Sequence, residues 1–148
     1  MTMTDTNGYG TLACLRTANR IRQENWPGGE HVETLFRAVE FGGEAGELLD
    51  AVKKLTRARK GIAGNKDQTL DTLTQAVKEE IGDVLISLDI LADDLGIKIE
   101  DCVPMKFNKT SLKVGVPVEM CETTWETLIV YQIADAEQKD LFGSDVSA

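Results

Sequence analysis

Two short stretches carry the side chains best suited to chemistry: EAGELL, Glu44 to Leu49, and EIGDVL, Glu80 to Leu85. Each sets two carboxylates three positions apart around a glycine and follows them with apolar residues. On a helix that advances about 100° per residue, the two acids of a stretch stand about 60° apart and project together. Leu48, Val52, Ala45 and Leu49 fill the sector beside the first pair, and Val84, Leu88, Ile81 and Leu85 the same sector beside the second. Both stretches therefore place paired carboxylates on the same edge of an apolar stripe.

If the two helices pack through those stripes, Glu44, Glu47, Glu80 and Asp83 converge at the margin of the core. Four carboxylates held there repel one another and are poorly solvated, so they take up protons or require counter-charge. A hard divalent cation answers that need. Mg²⁺ accepts carboxylate oxygens, keeps several waters and recruits phosphate oxygens to complete its octahedron, whereas an all-oxygen set does not suit zinc. One such acidic pair alone reads as a solvated helix face; two matching pairs beside apolar stripes favour a metal site. Gly46 and Gly82 hold equivalent places, and each costs about 1 kcal/mol of helix propensity relative to alanine. That cost points to close approach of another backbone.

The elements that must position these groups are helical. From Thr11 to about Trp26, Leu12, Leu15, Ala18 and Ile21 recur at intervals of three before Trp26-Pro27-Gly28-Gly29 breaks the pattern. A second helix is expected from about His31 to Lys60, with Leu35, Ala38, Leu49, Val52 and Leu55 on one broad face and a basic C-terminal end. After a loop, Leu73, Val77, Ile81, Val84, Leu88, Leu91 and Leu95 keep helical spacing from about Leu70 to Leu95. A shorter helix follows Gly96 to about Lys109, kinked or delayed by Pro104. No βαβ alternation is present, so the expectation is an all-α bundle. The tail from Val116 is ambiguous: Thr123 to Glu126 reads as a capping box opening a helix that Gly143 closes, yet TLIVYQI is also strand material.

Composition sets outer limits. At 148 residues the chain matches one ordinary domain. A formal net charge of −9 disfavours nucleic acid and anionic membranes, and leaves phosphate binding to a local basic cluster or a cation. Cys14, Cys102 and Cys121 lack metal-ligand spacing and are odd in number, which fits a reducing cytoplasm. No export signal or membrane span is legible, so an unexported soluble protein is expected.

The stretches GEAGELLDAVKKL, KEEIGDVLISLDILADDLGI and KFNKTSLKVG together resemble the MazG-like all-α nucleoside triphosphate pyrophosphohydrolases, whose signature is ExxE on one helix and ExxD on the next. The resemblance covers roughly Leu12 to Gly115, so residues 1–115 are expected as the domain and 116–148 as an extension packing on it or on a second subunit. Many members carry a further glutamate immediately before the first of the pair. Here that position is Gly43, as in small single-domain members of the dCTP-pyrophosphatase type.

The resemblance implies a four-helix core, dimeric or built as a dimer of dimers, that hydrolyses a nucleoside triphosphate to the monophosphate and pyrophosphate. It implies that Glu44, Glu47, Glu80 and Asp83 hold Mg²⁺, for which Mn²⁺ can substitute. One of Glu40, Glu44 and Glu47 is the candidate general base, Glu40 lying one turn before Glu44. Lys106, Asn108, Lys109 and Lys113 match the family's basic segment and are candidate phosphate contacts. Trp26 is a candidate nucleobase contact, with core packing as the alternative. His31 has no suitably spaced partner and reads as a loop or cap residue. Two other functions fit the same carboxylates: phosphoribosyl-ATP pyrophosphohydrolase, and a non-catalytic, metal-stabilised interaction protein.

Overall fold

A computed structural model describes residues 12–66, 68–116, 118–121 and 127–129. The chain divides into two compact units, Met1–Ile97 and Lys98–Ala148. The first holds α1 (Leu12–Glu24), a 3-10 turn (Gly29–His31), α2 (Thr34–Arg59) and α3 (Leu70–Asp94). The second holds α4 (Ile99–Val114) and two short strands, β1 (Val118–Met120) and β2 (Thr127–Ile129). The all-α expectation holds: four helices carry nearly all the regular structure described. Among the described residues, no helix is long and apolar enough to cross a membrane.

Local chemistry fixes the helix ends. The second helix begins at Thr34 because Gly29–His31 form their own 3-10 turn and Val32 and Glu33 are extended. At its far end Gly61 takes the left-handed conformation, with φ of 64°, and the Ile62 amide donates to the Arg57 carbonyl at 2.9 Å. Asn65 Nδ2 then donates to the Lys54 carbonyl at 2.6 Å and folds the loop back along α2. Thr69 caps α3 by accepting from the Thr72 amide at 3.1 Å.

The core of the first unit is small. Leu55 and Ala51 of α2 are buried, as are Leu73 and Ala92 of α3. The broad apolar stripes are only partly covered: Leu35 and Leu49 remain 75% and 71% exposed, and Ile81 and Leu85 are also exposed. A stripe of that width exceeds what one facing helix can cover. Gly46 and Gly82 do not meet the expectation of close backbone approach, since a Cβ on either would find nothing within 4 Å.

The first helix is tied to α3 by a polar clasp. Asp89 is 1% exposed, in the middle of an otherwise apolar run. Arg16 Nε donates to its Oδ1 at 2.9 Å and Asn19 Nδ2 to its Oδ2 at 2.8 Å. Arg16 also reaches Asp93 Oδ1 at 2.9 Å and the Ile97 carbonyl at 3.1 Å. Arg20's hydrogen bonds to Asp93, together with the Arg16 charge, hold the Asp93 carboxyl below the ordinary carboxylate range.

In the second unit Pro104 does not break α4 but lies buried within it, and the helix runs on to Val114 and a left-handed Gly115. The missing proline N–H removes one intrahelical bond near the start of the helix, where the ring's fixed φ remains compatible with helical backbone. Residues 127–129 are strand, pairing antiparallel with β1 in the register Val118 to Ile129 and Met120 to Thr127. The expected capping box, Thr123 to Glu126, and residues 130–143 lie outside the described residues.

Removing the buried acid of the clasp tests its weight. Asp89→Ala leaves Arg16 and Asn19 without their buried partner and should lower the unfolding free energy by about 3 kcal/mol. Arg20→Ala, at an exposed pair with Asp93, should cost much less, because solvent screens the pair. Urea denaturation measures both, and equal losses would refute the distinction.

Candidate metal centre and active site

The middle of α2 presents Glu40, Glu44 and Glu47, and the middle of α3 presents Glu80 and Asp83. Side-by-side pairing of α2 and α3 brings the two motifs together. Carboxylate oxygens of Glu44, Glu47 and Glu80 all lie within 4.8 Å of one another. Asp83 stands near enough to Glu44 and Glu80 for its charge to act on both.

Electrostatics follow from that geometry. Partial burial pushes the Glu44 carboxyl above its ordinary value, and the charges of Asp83, Glu47, Glu80 and Glu40 push it further. Burial likewise raises Glu80, assisted by Glu47, Asp83 and Glu79 and opposed by Lys54. Like charges held this close are an arrangement in which a bound cation gains much. The cluster offers carboxylate oxygens and no nitrogen or sulfur ligand, so its donor set fits Mg²⁺ or Mn²⁺.

Beside the cluster lies a cavity of about 390 Å³ that Glu44 and Asp83 help to line. Trp26, Phe36, Ile86 and Ile90 give it apolar wall. Trp26 is 56% exposed, so its ring faces open space instead of core. Gln23, Arg37 and Glu40 add polar groups to the same wall. Arg37 Nη2 donates to Gln23 Oε1 at 2.6 Å, and Nη1 to Glu40 Oε2 at 3.2 Å.

Of the residues singled out by sequence, Glu40, Glu44, Glu47, Glu80 and Asp83 are brought together, and Trp26 joins the cavity they border. Lys106, Asn108, Lys109 and Lys113 lie on α4, in the second unit. The three lysines are exposed. Asn108 has local work: its Nδ2 donates to the Met120 carbonyl at 2.9 Å and its Oδ1 accepts from the Met120 amide at 2.7 Å, fastening β1 to α4. His31 is exposed at the end of the 3-10 turn. Sequence reading missed Gln23, Phe36 and Arg37. Gln23 stands one turn before Trp26, and Phe36 and Arg37 one turn before Glu40, so a search along the same helix faces from Trp26 and Glu40 would have reached them.

The raised carboxyls set the sign of a pH effect. A carboxyl whose folded value exceeds its unfolded value withdraws stability as the pH rises through that window, because the folded state holds its proton longer. Millimolar Mg²⁺ should therefore raise Tm at about pH 7.5 and much less at about pH 5, where protons already neutralise part of the cluster. Glu44→Gln should raise the Tm of the metal-free protein and blunt the Mg²⁺ response. Calorimetric scans that show no metal effect at either pH would contradict this.

Comparison with known proteins bears on the same residues. No curated protein and no solved structure matches the chain. A family model for the MazG nucleotide pyrophosphohydrolase domain matches residues 33–112, more than half of the chain, with both carboxylate pairs inside the match. The paired acids of α2 and α3 thus sit within a span whose family is recognised: the chain belongs to the MazG nucleotide pyrophosphohydrolase domain family, hydrolases of the phosphoric anhydride bonds of nucleotides.

Proposed function

We propose that the protein is a Mg²⁺-dependent nucleoside triphosphate pyrophosphohydrolase that releases the monophosphate and pyrophosphate. Its substrate is dCTP or another pyrimidine or non-standard deoxynucleotide, and its role is nucleotide pool cleaning in the cytoplasm. The observation that carries this reading is the convergence of Glu44, Glu47 and Glu80 within 4.8 Å beside a cavity walled by Trp26 and Phe36. A triphosphate needs cations at one end and an apolar slot at the other; the carboxylates would hold the cations, and Trp26 and Phe36 line such a slot.

The chain's own groups divide the work. Glu44, Glu47, Glu80 and Asp83 hold the metal position, at which a divalent cation would neutralise phosphate oxygens and acidify water. One of Glu40, Glu44 and Glu47 takes the proton as the water oxygen bonds to phosphorus. The bridging P–O bond of the α–β anhydride then breaks, and its electron pair leaves with pyrophosphate. Lys106, Lys109 and Lys113 are proposed to meet the phosphates, with Asn108 adding what its amide has left after holding Met120.

A homodimer or homotetramer belongs to the same reading. Leu35, Val39 and Leu49 are 75%, 66% and 71% exposed, and Gly42 and Gly46 between them leave open space above α2. An uncovered apolar strip of this kind suits a second copy. Light scattering should give a mass at least twice that of the chain. Leu35→Glu with Leu49→Glu should shift it to the monomer, and a wild-type monomer would remove this part of the proposal.

Activity is tested by anion-exchange analysis of products after incubation with each dNTP, NTP and phosphoribosyl-ATP, with Mg²⁺, Mn²⁺ or chelator. Metal-dependent release of monophosphate and pyrophosphate is expected, falling at least about a hundred-fold in Glu44→Gln and in Glu80→Gln. Preferred turnover of phosphoribosyl-ATP would assign the neighbouring activity. A Tm raised by Mg²⁺ without turnover of any compound would leave a metal-stabilised interaction protein.

A further inference from the structure

The metal site and apolar slot say nothing of how bases are told apart, but one polar row on the cavity wall does. Arg37 bridges Glu40 and Gln23, bonding to one through Nη1 and to the other through Nη2, and all three line the cavity. Its side chain is only 12% exposed, so the guanidinium is held in place instead of swinging in solvent. Arginine only donates, so the Gln23 atom facing it must be the carboxamide oxygen, and the NH₂ group is what Gln23 has left to offer. Glu40 places one oxygen on Arg37 and keeps the other as an acceptor. Arg37 retains N–H groups beyond the two in use. Along the wall the row therefore reads acceptor, donor, donor.

We propose that Glu40, Arg37 and Gln23 read the Watson–Crick edge of a cytosine base seated between Trp26 and Phe36. Cytosine presents, in order, the N4 amino donor, the N3 acceptor and the O2 acceptor, which complements the row at every place. Uracil and thymine present an O4 acceptor to Glu40 and an N3–H donor to Arg37, a mismatch at two places. Guanine is mismatched throughout, with O6 against Glu40 and N1–H and the 2-amino group against the donors. Adenine matches at N6 and N1 and offers nothing to Gln23. The ranking is therefore cytosine, then adenine, then the remaining bases. The assignment sets Glu40 to the base and leaves the proton of the attacking water to Glu44 or Glu47. It rests on the nucleotide hydrolysis proposed above and narrows the substrate to cytidine nucleotides.

The test uses the full chain and the product nucleotides, so that it reads base recognition apart from turnover. Calorimetric titration with dCMP, dAMP, dTMP and dGMP should show dCMP binding about ten-fold or more tightly than dTMP. In Arg37→Met that preference should fall to about two-fold or less, since one wall group can no longer discriminate. Gln23→Met reaches the same row from α1 and should narrow the gap as well, which keeps the test available if Arg37→Met melts early. Equal or tighter binding of dTMP by the wild type, no binding of dCMP, or an intact preference in well-folded Arg37→Met and Gln23→Met would each overturn the proposal. Hydrolysis of dNTPs is followed alongside. Base preference without turnover defeats the hydrolase reading alone, and turnover without base preference defeats this inference alone.

Discussion

The pairing of α2 with α3 forces like charges together, and the rest of the first unit is arranged around that constraint. Leu55, Ala51, Leu73 and Ala92 close the apolar side of the two helices, and the same register sets Glu44 and Glu47 against Glu80 and Asp83. Burial favours the helix pair while charge opposes it. The raised carboxyls of Glu44 and Glu80 record the opposition. A fold that keeps such a cluster stores part of its stability in whatever cation fills it, which is how a binding site and a folding constraint become the same residues.

The core beside this cluster is thin. Few large side chains are fully buried, and the outer faces of both stripes are left to solvent. Gly42 and Gly46 on α2 sit among those uncovered residues, and among the described residues nothing lies within 4 Å of a Cβ added to either. Glycine in a helix interior weakens the helix, so its presence there makes sense only where another surface comes close. The described residues supply no such surface, and the second copy proposed above would.

Much of this was legible in the sequence, for identifiable reasons. The long helices showed in the spacing of Leu73 through Leu95, and the carboxylate site in two matching acidic pairs, because period and pairing are local properties. Three features were not legible. Pro104 inside α4 follows from the position of the ring along the helix, which depends on where the helix begins. The strand at residues 127–129 depends on partners seven to eleven residues away in β1. The clasp at Asp89 looked like one more polar interruption of an apolar run, since a buried acid is recognisable only once Arg16 and Asn19 are seen to face it.

That clasp has a consequence for the cavity. Trp26 follows the end of α1 and Gln23 belongs to its last turn, while Phe36, Arg37 and Glu40 come from α2 and Ile86 and Ile90 from α3. The one residue of α1 that is fully buried is polar, Asn19, while Leu12 and Leu15 are only half-buried. The position of α1 is set by Arg16 and Asn19 on Asp89, with Gln23 bonded across to Arg37 at the other end. Hydrophobic contact would tolerate sliding of α1 along α3; a directed set of hydrogen bonds to one buried carboxylate does not. The polar clasp therefore fixes how far Gln23 and Trp26 stand from the carboxylates, and so sets the size of what the cavity can hold between them.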